Sequence, residues 1–308
     1  SRVVSNFLAP TTPMVIVSAG GSTVDAGHSM NLIKFIIMAP LIWYSVPSRD
    51  HAGEFFTMRS EGNGAGEFPD VQQPDMEGFD KTGNYPAKWK VVSEGPVSSS
   101  YSTRAPVRYA EVELTVTLYH QIKRIDFEVE LLNWQGILYR EFRFALPLNM
   151  EDHTVAYEVP FGVLEVGKDE MEGSAGERYI YPCRETRPRG IGDWIGAYDH
   201  QVSVVLSSSV AVADYIDPAG QSAGPVLQPI LLASRKSCHG EGNEYLQTGN
   251  HSFFFSMTST LPDWKKGYHR ALQSNEKMLA VVDPVPYHNA SLPGSMSFFN
   301  TDAPNILI

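Results

Sequence analysis

The stretch EVELTVTLYH, Glu111 to His120, alternates in character at nearly every position. Val112, Leu114, Val116 and Leu118 fall on one side, and Glu111, Glu113, Thr115 and Thr117 on the other. Successive side chains of an extended chain point to opposite faces, so this pattern separates apolar from polar residues as a β-strand. RIDFEVELLN repeats it, with Ile125, Phe127, Val129 and Leu131 opposed to Asp126, Glu128 and Glu130. A short polar turn centred on Gln121 to Lys123 predicts an antiparallel hairpin of two long strands.

Further strand candidates follow at short intervals: REFRFALP, TVAYEVP, WIGAYD, VSVVLSS, VAVADYI and FFFSMTS, many bounded by Gly, Pro, Asn or Asp. No segment of similar length carries an apolar helical stripe with caps at both ends. The most apolar stretch, Asn31 to Val46, contains Lys34 and Pro40 and is short for a bilayer span, which suits two buried strands broken at the proline. EGNGAGEFPDVQQPDMEGFDKTGNYP and PCRETRPRGIGD read as long loops over sheets, where a rigid scaffold presents polar groups together. No fixed-period repeat supports a propeller or solenoid.

A chain of 308 residues can hold two average domains or one large all-β domain. Its 43% hydrophobic and 19% charged residues match a packed globular protein. A formal charge of -11, with no run of Lys or Arg, disfavours nucleic acid and anionic lipid as partners. Cys183 and Cys238 are too few for a disulfide scaffold and lack zinc-ribbon spacing, so both read as buried thiols. The first residues show no basic region followed by an apolar core, so no signal peptide is expected.

From about Trp89, the order of segments resembles the large C-terminal β domain of glycoside hydrolase family 38, the α-mannosidases. The segments carrying it are LYHQIKRIDFEVELLNW, REFRFALPL, YEVPFGVLEVG, DWIGAYDHQVSVVLSSSVA, QPILLASRK and GNHSFFFSMTSTLPDW. The resemblance covers roughly Trp89 to Val282; residues 1–88 lie outside it but are assigned to the same domain. That domain is expected over 1–283. Residues 284–308 then look like the start of a following β module or a C-terminal extension, as in an excised piece.

The resemblance implies an all-β fold, the galactose mutarotase-like β-supersandwich of two large antiparallel sheets with long loops. In the family, a zinc-binding α/β barrel that cleaves α-mannosides with retention precedes this region, and nothing in this sequence resembles that barrel. It therefore implies that the catalytic residues and zinc lie outside this chain, with no cofactor in it. The implied role is to support the barrel and contact a mannose-containing glycan. The same architecture serves sugar epimerases, polysaccharide lyases and noncatalytic regions, so a carbohydrate-binding module and a mutarotase, epimerase or lyase-type enzyme stay open.

The richest chemical cluster is SCHGEGNEYLQTGNH, Ser237 to His251. Glu241 and Glu244 offer the two carboxyls of a retaining glycosidase, which must stand about 5 Å apart, but loop spacing sets no such geometry. His239, His251 and Glu241 could ligate a metal, although twelve positions between the histidines matches no helix-borne pair. Adjacent Cys238 and His239 point to opposite faces in an extended chain, which argues against a nucleophile and its base. His51, His120, His200 and His239 supply imidazoles for a mutarotase-like acid and base. Asp50, His51 and Glu54 form one more polar cluster, too short to define a site, and SAGGST lacks a phosphate-loop pattern.

Sugar recognition pairs aromatic faces with C–H patches and planar polar groups with hydroxyls. Arg187, Arg189, Asp193 and Trp194, with His239 and Glu241, are the candidate carbohydrate contacts. A structural alternative for the first loop anchors Trp194 in the core.

Overall fold

A computed structural model describes residues 14–18, 34–38, 53–60, 75–170, 188–217, 224–236, 242–262, 264–276, 296–297 and 302, with the backbone alone for the first two segments. The chain divides into compact units 1–276 and 277–308, and every element below belongs to the first. The described strands are β1 (Met14–Ser18), β2 (Lys34–Met38), β3 (Glu54–Arg59), β4 (Asp75–Lys81), β5 (Lys90–Glu94), β6 (Ser98–Val107) and β7 (Ala110–Tyr119). They continue with β8 (Arg124–Trp134), β9 (Arg140–Pro147), β10 (Thr154–Val159), β11 (Gly162–Glu165), β12 (Arg189–Gly190) and β13 (Trp194–Tyr198). Last come β14 (Ser203–Ser208), β15 (Val212–Asp214), β16 (Val226–Ala233), β17 (Arg235–Lys236), β18 (Glu244–Tyr245) and β19 (Gly249–Thr260).

The larger sheet has nine strands in the order β11-β10-β13-β14-β19-β8-β7-β6-β5, and the smaller has six, β12-β15-β16-β9-β3-β4. Two short ribbons, β1 with β2 and β17 with β18, complete the set. The described pairings are antiparallel, and this is the expected all-β supersandwich.

The alternation in β7 and β8 carries straight into the fold. Val112 pairs with Leu131, Leu114 with Val129, Val116 with Phe127 and Leu118 with Ile125. This apolar face meets the smaller sheet, whose Phe144 stacks on Phe55 at 4.9 Å and contacts Phe127 and Phe255 of the larger sheet, each at 5.3 Å. Trp134 meets Phe142 edge-on at 4.9 Å. Burying each such side chain stabilises the fold by roughly 1.5–3 kcal/mol relative to exposing it, so these aromatic contacts hold the two layers together.

Three expectations change. A helix, Trp264–Asn275, packs on the outer face of the larger sheet against β13, β14 and β19. Trp264, Gly267, Tyr268 and Ala271 do recur at helical spacing, but two of the four are too small to look apolar. Small size is what docking requires: a Cβ on Gly267 would lie 2.6 Å from the Val205 side chain.

Part of the first long loop is instead the edge strand β4. Its Glu77 and Gly78 carbonyls accept hydrogen bonds from the buried Arg140 guanidinium at 2.9 and 2.7 Å. Likewise, β12 occupies part of PCRETRPRGIGD and pairs with β15. Cys183, Cys238, Asp50, His51 and the burial expected around Pro40 lie outside the described residues.

Candidate functional site

Buried charged side chains concentrate on the smaller sheet, where alternation in β9 turns Phe142, Phe144 and Leu146 inward and Glu141, Arg143 and Ala145 outward. The outward face is buried too: Arg143 is only 1% exposed. Its Nε donates to Glu141 at 2.5 Å, and its Nη1 donates to Asp214 at 2.9 Å and Gln228 at 2.8 Å. Arg235 reaches the other Glu141 oxygen at 2.8 Å and also donates to the Ser60 carbonyl and hydroxyl, each at 2.8 Å.

Burial by itself would push the Glu141 carboxyl upward, yet the guanidiniums of Arg143 and Arg235 outweigh it and hold Glu141 below its ordinary range. Two carboxylates face two guanidiniums here, so the charges balance. A carboxylate held ionised in this way is a poor proton donor, and the cluster acts as an internal brace across β9, β15 and β16.

A second brace joins the two sheets. Arg189 on β12 donates through Nε to Glu170 at 2.5 Å and through Nη2 at 3.1 Å, while the Tyr157 hydroxyl on β10 donates to Glu170 at 2.7 Å. The guanidinium also lies 5.1 Å from the Tyr215 ring centre. Burial pushes the Tyr157 hydroxyl well up, assisted by its bond to Glu170. Glu170 itself is pushed up by burial but held below its ordinary value by Arg189 and Tyr157.

The candidate residues thus have different fates. Arg189 is committed to Glu170. Trp194 is fully buried beneath the helix, 5.8 Å from the Trp264 ring, which leaves no ring face for a sugar and matches the core-anchor alternative. Asp193 stays at the surface: its carboxylate accepts a 2.9 Å bond from Asn275, and its backbone N–H donates to Glu158 at 2.6 Å. Glu158 is half-buried, and that desolvation raises its carboxyl, with the neighbouring Asp193 charge adding to the effect. Arg187, His239 and Glu241 lie outside the described residues.

In the histidine-rich stretch, His251 lies on β19, where Nε2 is 2.6 Å from the Gln247 carbonyl oxygen. His251 is thus a hydrogen-bonded histidine near the start of its strand. Glu244 sits on β18, 3.7 Å from Lys236, and Glu241 lies outside the described residues. Among the described residues, no three His, Cys, Asp or Glu side chains gather closely enough to hold a metal ion. Among them too, no helix is long and apolar enough to cross a membrane.

The braces escaped sequence reading because their members are far apart: Asp214 and Arg235 lie 71 and 94 positions from the β9 residues they meet. The available signal was local. REFRFALP places two charges between phenylalanines, a pattern that looks solvated unless the second face is also covered.

No family model matches the sequence, and no curated protein matches it. Among solved structures, the fold is similar to an α-mannosidase from Enterococcus faecalis V583, with TM-score 0.55, 13% identity, and coverage of 72% of this chain but 27% of that one. It is also similar to a glycosyl hydrolase family 38 protein from Enterococcus faecalis, with TM-score 0.56, 13% identity, and coverage of 72% and 28%. This chain therefore shares the fold of one part of those proteins and spans about a quarter of their length. A galactose 1-epimerase from Lactobacillus acidophilus is more distant, with TM-score 0.37, 11% identity, and coverage of 59% and 69%. The likeness to the two Enterococcus faecalis proteins shows a family 38-related fold, and fold alone does not decide activity.

Proposed function

We infer that this chain is the noncatalytic β-supersandwich region of an α-mannosidase-like glycoside hydrolase, one that supports a catalytic barrel and contacts mannose-containing glycan. One observation carries the reading: the fold likeness extends over 72% of this chain but only 27% of the α-mannosidase it matches. The braces fit a supporting role, since Glu141, Asp214 and Glu170 are bound to guanidiniums rather than free for proton transfer. In this reading, zinc and the nucleophilic carboxylate belong to the barrel, outside this chain.

Asp193, Arg187, His239 and Glu241 are the proposed glycan contacts, while Arg189 and Trp194 are committed to Glu170 and to packing beneath the helix. The purified chain supplied with zinc should not release the aryl group from an aryl α-mannoside. Zinc-dependent release above a no-protein control would refute the assignment. Saturable binding of a mannose oligosaccharide, weakened in Asp193→Ala with unchanged folding, would support the glycan contact. Unchanged binding in that variant would remove Asp193 from it.

A further inference from the structure

Asp193 is exposed, immediately before the buried Trp194, and groups from β10, β14 and the helix hold it in place. Its backbone N–H donates to Glu158 Oε2 at 2.6 Å, and the preceding Gly192 N–H donates to the Glu158 carbonyl at 2.7 Å. Glycine at 192 gives the carboxylate room, since a Cβ there would lie 2.9 Å from the Glu158 side chain. The Asp193 carbonyl accepts from the Ser208 N–H at 2.9 Å and from Asn275 Nδ2 at 3.2 Å. The same Nδ2 donates to Asp193 Oδ1 at 2.9 Å.

Asn275 is the last residue of the helix, and its own amide is fixed. Oδ1 accepts from the Ser207 hydroxyl at 2.7 Å, while Nδ2 faces two backbone carbonyls and a carboxylate oxygen. Only the nitrogen end of an amide can face three acceptors, which settles its orientation. The helix, docked through Gly267 on Val205, thus brings a donor to a carboxylate 82 positions away in sequence.

Among the described residues, Asp193 Oδ2 has no hydrogen bond. A surface aspartate without such supports samples several rotamers, and ordering it on a ligand costs affinity. Here Asn275 occupies one carboxylate oxygen before any ligand arrives and leaves the other as an acceptor for a hydroxyl. We propose that Asn275 and Glu158 are positioning residues for the glycan contact at Asp193, holding its carboxylate so that Oδ2 accepts from a sugar hydroxyl. Their role rests on the functional reading that sets Asp193 against mannose-containing glycan, and it gives the helix a part in binding as well as in packing.

Titration of the whole chain with a mannose oligosaccharide, followed by NMR, tests this. Asn275→Ala and Glu158→Ala should each weaken binding by about 3- to 10-fold, the cost of ordering one freed side chain. Glu158→Gln keeps a carbonyl oxygen for the Asp193 N–H and should bind within about twofold of wild type. In an Asp193→Ala background there is no carboxylate to position, so Asn275→Ala should add less than about twofold. Unchanged circular dichroism confirms folding. Where Asn275→Ala does not fold, or Asp193→Ala leaves no measurable binding, the two Glu158 variants decide alone. Full-strength binding by either alanine variant overturns the role of that residue. Equal loss in Glu158→Ala and Glu158→Gln overturns the proposal, as does an Asn275→Ala loss undiminished in the Asp193→Ala background. A wild-type chain that binds no oligosaccharide at millimolar concentration refutes the functional reading itself, and the positioning role with it.

Discussion

Arg143 and Asp214 meet inside the protein, with Nη1 2.9 Å from Oδ2 and the side chains 1% and 2% exposed. Removing the cation would leave both Asp214 and Glu141 buried without it, and breaking such a pair typically costs about 3–5 kcal/mol. Arg143→Leu should lower stability by that amount in urea unfolding. Adding Asp214→Leu should recover much of the loss, because Glu141 then still pairs with Arg235 and no isolated charge remains in the interior. A single variant as stable as wild type would show that the brace contributes little.

Acid should expose the same chemistry. Glu141 and Glu170 are pushed up by burial but held below their ordinary range by neighbouring guanidiniums. Their folded values are lower than their unfolded ones, so they contribute stability above the unfolded value, and it is lost as pH falls through the folded one. Thermal unfolding from about pH 7 to about pH 3 should therefore show a steep acid limb. Glu170→Gln should flatten it while lowering stability near neutrality; a parallel limb would exclude Glu170 as a contributor.

At the alkaline end, burial and then the 2.7 Å bond to Asp126 push Tyr119 up to about 12. A raised value means that the stabilisation is present below the unfolded tyrosine value and fades as pH rises through the folded one. In an absorbance titration of phenolate, Tyr119→Phe should remove one late-ionising tyrosine and leave the earlier phase unchanged. Loss from the earlier phase would contradict the hydrogen bond to Asp126.

Gly196 of β13 lies against β14, and a Cβ there would stand 2.6 Å from the Val204 carbonyl oxygen and 3.3 Å from the Val205 Cα. Backbone cannot swing away as a side chain can, so Gly196→Ala should destabilise the domain by about 1–3 kcal/mol. Chemical denaturation measures this directly, and a neutral substitution would mean that the two strands can part locally.

Much of the layer structure was legible because side-chain direction in a strand is a local property. The alternation of Val112, Leu114 and Val116 predicted the face that now meets the smaller sheet, and REFRFALP and WIGAYD named the strands that became β9 and β13. The helix at Trp264 was less legible because Gly267 and Ala271 contribute close approach, which hydropathy does not register. Of the candidate contacts, Asp193 lies at the surface as a polar loop residue should, whereas Arg189 and Trp194 were drawn inward by partners distant in sequence.

The sequence by itself determined that this chain forms long amphipathic strands, because two-residue periodicity leaves an apolar face that must leave water. Only the tertiary structure decided which charges remain accessible. Glu141 and Arg143 look like solvent-facing members of an alternating strand, yet residues from β15, β16 and β17 enclose and neutralise them. The strand KVVSE, unremarked in the sequence, became an edge of the larger sheet among the described residues. Alternation specifies the two sides of a strand, but long-range packing determines what covers each side and which strand is left without a neighbour.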